Sequence, residues 1–243
     1  MKLHTCLEED GLVPEVFAIS DAAACDRAFL GQLPGLGEGS IVVMDKGYTN
    51  YKKFAEWDEQ GIYFVIPMQN NARYEVLADN TANLRNDTGR GITKDLRVCF
   101  NHHPDKPLVA RLLEIQEPEE GQHYWLVSNL HDFQSHSIRR LYHNRWRIEV
   151  VFKQLKQNFQ LSYFYSDSKE GIKTQVWIAL IANLLITIIH RMTKEKESFT
   201  VIRSMLALHM GSFMNLMKVI GMDRVKGKER DIKKIQMCLF DSS

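Results

Sequence analysis

Neither sign of charge dominates this chain: 31 Lys plus Arg stand against 30 Asp plus Glu, a formal charge of +1 over 243 residues. That balance excludes binding of polyanions through net charge, so any affinity for nucleic acid must be local. Cysteine is scarce as well. Cys6, Cys25, Cys99 and Cys238 include no C-x-x-C pair, which excludes the usual zinc modules and disulfide frameworks and fits a reduced cytoplasmic protein. The opening MKLHTCLEEDGLVPEV has no long apolar run behind its one Lys, so it is not a secretory signal. Residues 176–189, VWIALIANLLITII, fall short of the roughly 20 residues a membrane span needs and carry Asn183 and Thr187. A buried core helix is expected there. Internal repeats and low-complexity segments are also missing. What is present is a chain 44% hydrophobic, able to form one large domain or a core with one insertion.

The pattern along the chain predicts a mixed α/β sheet. LHTCL and VPEVFAI read as two strands of a hairpin turned at Glu9, Asp10 and Gly11. DAAACDRAFLGQL has helical spacing behind a capping Asp, and residues 41–44 read as a buried strand that Asp45 ends. YKKFAEWDEQG predicts an amphipathic helix closing on Gly61, and IYFVI a strand stopped by Pro67. Residues 1–73 thus form the first part of a core. Residues 74–134 switch to short alternating pieces such as LRVCF, LVARLLEI and HYWLVSNL, which predicts a mainly antiparallel β-rich insertion subdomain beside that core. The remainder reads as helices over 137–159, 172–192 and 199–219 with a charged tail, so that 135–192 would complete the core and 193–243 would be a helical region.

The helix expected over 137–159 carries the chemistry. Tyr142, Arg145, Glu149 and Lys156 stand three, four and seven apart, within an arc of roughly 60° on one helical face. Leu141, Ile148, Phe152, Leu155 and Phe159 make an apolar stripe beside it. Arg139, Arg140, Arg145, Arg147, Lys153 and Lys156 concentrate positive charge around a single acid, Glu149, which suits phosphate. A plain amphipathic helix would instead pair Glu149 with Arg145 or Lys153 at i±4 spacing.

The pattern Y-x2-R-x3-E-x6-K resembles the signature of transposases of insertion sequence family four, within the DDE class, and IVVMDKGY is similar to the family's second-aspartate segment, with Asp45 as that residue. The resemblance implies an RNase H-like sheet with a β-rich insertion and C-terminal helices, DNA cleavage and strand transfer at insertion-sequence ends, and two Mg²⁺ or Mn²⁺ ions held by carboxylates that include Asp45 and Glu149. Their carboxyl groups would then lie within roughly 10 Å of each other. It also implies DNA contacts from Arg145, Lys156, Lys153, Arg139, Arg140 and Lys46, and DNA or another transposase copy as partner. Tyr142 would contact the DNA backbone or a displaced base, or else pack at the stripe edge.

Two features depart from the family. Its first catalytic Asp lies on a strand upstream of the segment matching KLHTCLEEDG, and Asp10, Asp21 and Asp26 are poor substitutes for it. The chain therefore reads as truncated, without the central strand between LHTCL and IVVMD, and as inactive in turnover. Pro67 and Gln69 stand where the family carries Arg and Lys, leaving Lys46, Lys52 and Lys53 as nearby cations. The competing expectations are a non-catalytic DNA-binding remnant or inhibitor of a full-length transposase, and a different RNase H-like nuclease.

Overall fold

The computed structural model describes residues 2–7, 14–20, 26–33, 36–84, 91–101, 106–117, 121, 123–159, 161, 163–192 and 198–209. The chain divides into two compact units, Met1–Val151 and Phe152–Ser243.

In the first unit, β1 (Lys2–Leu7) and β2 (Pro14–Ser20) pair antiparallel, with Lys2 opposite Ser20, as the expected hairpin. The expected turn residues Glu9, Asp10 and Gly11, and Asp21 with them, lie outside the described residues. The following helix is tighter than expected, a 3₁₀ helix over Asp26–Gln32. The strand expected over 41–44 shortens to β3 (Ile41–Val43) and is half-buried rather than buried, because it lies at an edge of its sheet. Helix α1 (Tyr51–Glu59) starts under Asn50, whose side chain accepts the Lys53 N–H at 3.2 Å, and buries Phe54, Ala55 and Trp57. It closes at Gly61, whose φ of 68° is open to glycine at little cost. β4 (Tyr63–Pro67) follows and includes Pro67 as its last residue.

The insertion strands do not form a sheet of their own. β5 (Glu75–Asp79), β6 (Ile92–Phe100), β7 (Leu108–Gln116) and β8 (His123–Ser128) continue the core sheet in the order β3-β4-β8-β7-β6-β5. β3 runs parallel to β4 and every other pair is antiparallel. Period-two alternation gives this sheet two apolar faces. Phe64, Ile66, Leu112 and Val127 meet Phe54 and Trp57 of α1 on one side. Val65, Leu113 and Leu126 meet Ile138 on the other. Each such buried side chain contributes roughly 1.5–3 kcal/mol.

The hairpin stays outside this sheet, and among the described residues no strand pairs with the open edge of β1 or of β3. Side chains bridge the interval. His4 is buried, stacks on Phe29 at 5.0 Å and shares a 2.8 Å hydrogen bond between its Nδ1 and the Tyr48 hydroxyl.

The single helix expected over 137–159 is two: α2 (Ser135–Asn144) and α3 (Trp146–Asn158). The break is at Arg145. Its N–H reaches back to the Tyr142 carbonyl, and the Ile148 N–H to its own carbonyl, both i−3 turns. His143, Asn144 and Trp146 around it are weak helix formers.

In the second unit, α4 (Lys169–Met192) is longer than the expected 172–192, and α5 covers Phe199–His209. The expected continuation to 219 and the charged tail lie outside the described residues. With 24 residues, α4 is by length and composition long and apolar enough to cross a membrane. The expected core helix is buried along one stripe only: Ala179, Leu180, Asn183, Ile186 and Thr187 are covered, at helical spacing. Ile178 is 62% exposed and Ile181 56%. Ile186 packs with Ile202 and Leu206 of α5.

Candidate active site

Three elements bring the central residues together. Asp45 stands just beyond the C-terminal end of β3, where its Oδ1 accepts the Lys46 N–H at 3.0 Å and caps a 3₁₀ turn over Lys46–Tyr48. Glu149 lies in the first turn of α3. Arg145, at the break between α2 and α3, reaches both: its Nη2 donates to Glu149 Oε1 at 2.9 Å and its Nη1 lies 3.6 Å from Asp45 Oδ2. Two carboxylates far apart in sequence thus flank one guanidinium. The pairing of Glu149 with Arg145 is also the one a plain amphipathic helix would make.

The acids face water and the cation lies beneath them: side chains are 60% exposed at Asp45, 43% at Glu149 and 19% at Arg145. Burial pulls the Arg145 pKa down, but Asp45, Tyr142 and Glu149 outweigh it, so the guanidinium is held above its ordinary value. Tyr142 is half-buried, tilted against Tyr124 at 5.8 Å and 5.6 Å beneath the Arg145 guanidinium, and burial raises its hydroxyl pKa. Packing at the stripe edge is what these contacts describe.

The other expected cations differ in freedom. Arg140 is exposed. Arg139 is bound to Glu117, with its Nε 3.2 Å from Oε1 and a second bond from Nη2 to Oε2. Lys46 Nζ donates to Asn70 Oδ1 at 2.5 Å, and Lys53 pairs with Glu56 at 3.2 Å. Lys52 is exposed, as are Lys153 and Lys156 of the second unit.

Two features went unread in the sequence. Asp26 approaches the Asp45 segment: a Cβ on Gly47 would lie 2.9 Å from Asp26 Oδ2. Together with burial, Asp26 and Asp45 push the Tyr48 hydroxyl up to about 12. Asp26 does not complete a cluster, since among the described residues no group of three or more His, Cys, Asp or Glu is placed to hold a metal ion. The second is Arg111, buried with Asp95 and Ser135 at the start of α2. A charge inside the apolar run LVARLLEI was the available signal.

The fold is a mixed α/β sheet followed by helices, and its exposed centre is a pair of acids held on an arginine. A family model described as the transposase DDE domain matches residues 1–185, and the chain belongs to that family. The resemblance to insertion-sequence transposases is borne out by its relatives. The protein y4zB of Sinorhizobium fredii, named as a transposase, is 26% identical over 196 residues, which cover 80% of this chain and 54% of its own length. A Synechocystis protein named as the transposase of insertion sequence element IS4SA is 25% identical over 153 residues, 63% of this chain and 42% of its own. Transposase InsG of insertion sequence element IS4 from Escherichia coli is 26% identical over 162 residues, 62% of this chain and 35% of its own. The chain spans about half or less of the length of these curated relatives.

The family generally uses divalent metal ions. Asp45 and Glu149 supply hard oxygen donors of the right kind. As arranged, though, the two carboxylates hold a guanidinium and the described residues bring no third acid to them, so this donor set does not fit a pair of ions.

Proposed function

We propose that this chain is the catalytic region of an insertion-sequence transposase, working in the cytoplasm on DNA at element ends. The sheet is read as RNase H-like, with 1–73 and 135–192 as its two parts, 74–134 as the β-rich insertion and 193–243 as a helical region. Asp45 and Glu149 are two of the family's carboxylates. The observation that carries this reading is their convergence on Arg145 from β3 and α3. In this reading Arg145 and Lys156 hold DNA phosphates, Arg140, Lys153 and Lys46 add positive charge along the strand, Tyr142 backs the Arg145 guanidinium, and Arg139 approaches DNA only after leaving Glu117.

One observation favours a second reading, a non-catalytic DNA-binding protein or inhibitor of a longer transposase: two carboxylates, not three, meet among the described residues. For these 243 residues we therefore expect DNA binding without cleavage. Fluorescence anisotropy with a random-sequence duplex and nicking of a supercoiled plasmid in Mg²⁺ or Mn²⁺ test this on one preparation. Binding should weaken steeply with salt. Metal-dependent nicking would show that another acid completes the site, and absence of binding would remove the function altogether.

A further inference from the structure

Residues 163–165, a Tyr-Phe-Tyr run between α3 and α4, hold three aromatic rings at the surface: Tyr163 is 65% exposed, Phe164 38% and Tyr165 78%. Rings of this size ordinarily bury most of their area, so a fixed group of them facing water marks an interaction site. The loop is fixed from α4, within the same unit. The Gln175 side chain meets it as a neighbouring strand would, accepting the Tyr165 N–H at 3.1 Å and donating to the Tyr163 carbonyl at 2.8 Å. Ser166 Oγ accepts the Ser168 N–H at 3.2 Å, and Ser168 Oγ accepts the Gly171 N–H at 3.0 Å, which ties the end of the loop to the first turn of α4. The two tyrosine rings stand edge to face, 5.5 Å apart at 84°. One edge meets one face in that arrangement, and the remaining ring faces are open to a flat ligand.

We propose that this loop is a stacking platform for unpaired DNA bases, with Tyr163 and Tyr165 as the stacking rings. The proposal rests on the reading of the chain as a DNA-acting protein and gives its second unit a ligand of its own, a single strand rather than a duplex. Every base has a π-face, but in a duplex those faces are taken up by neighbouring pairs; only an unpaired base offers one to a side chain. A single-strand site also needs cations for the backbone. Lys153 and Lys156 of α3 are exposed, and chain connectivity alone keeps Lys156 within about 25 Å of Tyr163. Of the acids beside the loop, Glu170 is held by Lys173 at 2.9 Å and Asp167 is exposed. Because Gln175 already fixes the backbone that carries both rings, little ordering remains to oppose binding.

The test is fluorescence anisotropy of the full chain in chelator with three labelled probes of one length: a mixed-sequence single strand, the same strand with abasic sites in place of its bases, and the duplex. Wild type should bind the single strand about fivefold or more tighter than the abasic strand, the effect of at least one stacked base. That preference should persist at high salt, where phosphate contacts fade. Tyr163→Ala combined with Tyr165→Ala should erase it and leave duplex affinity within about twofold of wild type, while Tyr163→Phe with Tyr165→Phe should keep it, because the ring and not the hydroxyl stacks. Equal binding of single and abasic strands by wild type overturns the platform, and it is also the result expected if these rings dock another protein. A preference that survives the double alanine change overturns it as well, as does a loss shared equally by single strand and duplex. The abasic comparison is made on wild-type protein, so it decides even where circular dichroism shows the alanine variant unfolded. Duplex binding by wild type reports the DNA reading separately: a duplex bound without any preference for bases removes the platform alone.

Discussion

At the residue scale, Arg111 is a heavily bonded side chain. Its Nε donates to Asp95 Oδ1 at 3.2 Å and Nη2 to Asp95 Oδ2 and Ser135 Oγ, while Nη1 serves the carbonyls of Leu130, His131 and Phe133. Every nitrogen is used, which is the condition under which a buried ion pair is tolerated. Arg111→Met would leave Asp95 buried without its partner and is expected to cost about 3–5 kcal/mol in denaturant unfolding. A second change, Asp95→Leu, should recover part of that loss, because the stranded charge goes with it. A single-variant loss below about 1 kcal/mol would mean that water or rearrangement satisfies Asp95. The sequence hinted at Arg111, but its partner was illegible: Asp95 sits in an alternating strand where an outward acid is ordinary, and only the register of β6 against β7 turns it inward. Asp26 was passed over for a like reason. The pattern places it inside a longer helix, and neither its position at the head of a 3₁₀ helix nor its approach to Gly47 follows from sequence.

At the element scale, hydrophobic period and turn residues were enough to place most strands and helices, including the β1–β2 hairpin and the antiparallel run from β5 to β8. Two things were not legible. Periodicity continues unbroken through Arg145, so the division of α2 from α3 could not be read from it. Nor does it say that β8 returns to β4, with Val65 opposite Ser128, which merges insertion and core into one sheet. Helix α2 is fastened partly by Arg139 to Glu117 at the end of β7. The Arg139 hydrogen bond, opposed by burial and helped by the Tyr124 hydroxyl, holds the Glu117 carboxyl below its ordinary value. A lowered folded-state value stabilises above the ordinary carboxylate range and is lost as pH falls through it. Melting temperatures of wild type and Glu117→Gln should therefore differ by a constant amount near neutrality, and the gap should close below about pH 4.5. A gap that persists in acid would show that the glutamate acts through shape rather than charge.

At the scale of the whole molecule, no strand among the described residues pairs with the outer edge of β3, beside the candidate site. Ser40 accepts from Tyr63 and the Met44 N–H donates to Val65, so both face β4. Backbone groups of alternate residues point to the same side of a strand, and Ile41 and Val43 therefore turn theirs toward the open edge. Among the described residues no strand pairs with the second edge of β1 either, and the cluster of His4, Phe29 and Tyr48 spans the interval between the two strands. Unpaired edges recruit other chains. The purified protein should thus self-associate with rising concentration, as seen by sedimentation velocity. Proline distinguishes edge pairing from general stickiness, because it removes one N–H and is tolerated where that N–H faces away from the sheet. Val43→Pro takes away an outward donor and should lower self-association while the far-ultraviolet circular dichroism stays unchanged. Val42→Pro takes away the donor that faces β4 and should instead lower the melting temperature. Should Val43→Pro self-associate as strongly as the wild type, the β3 edge is not what joins the chains, and the exposed apolar side of α4, at Ile178 and Ile181, becomes the surface to alter next.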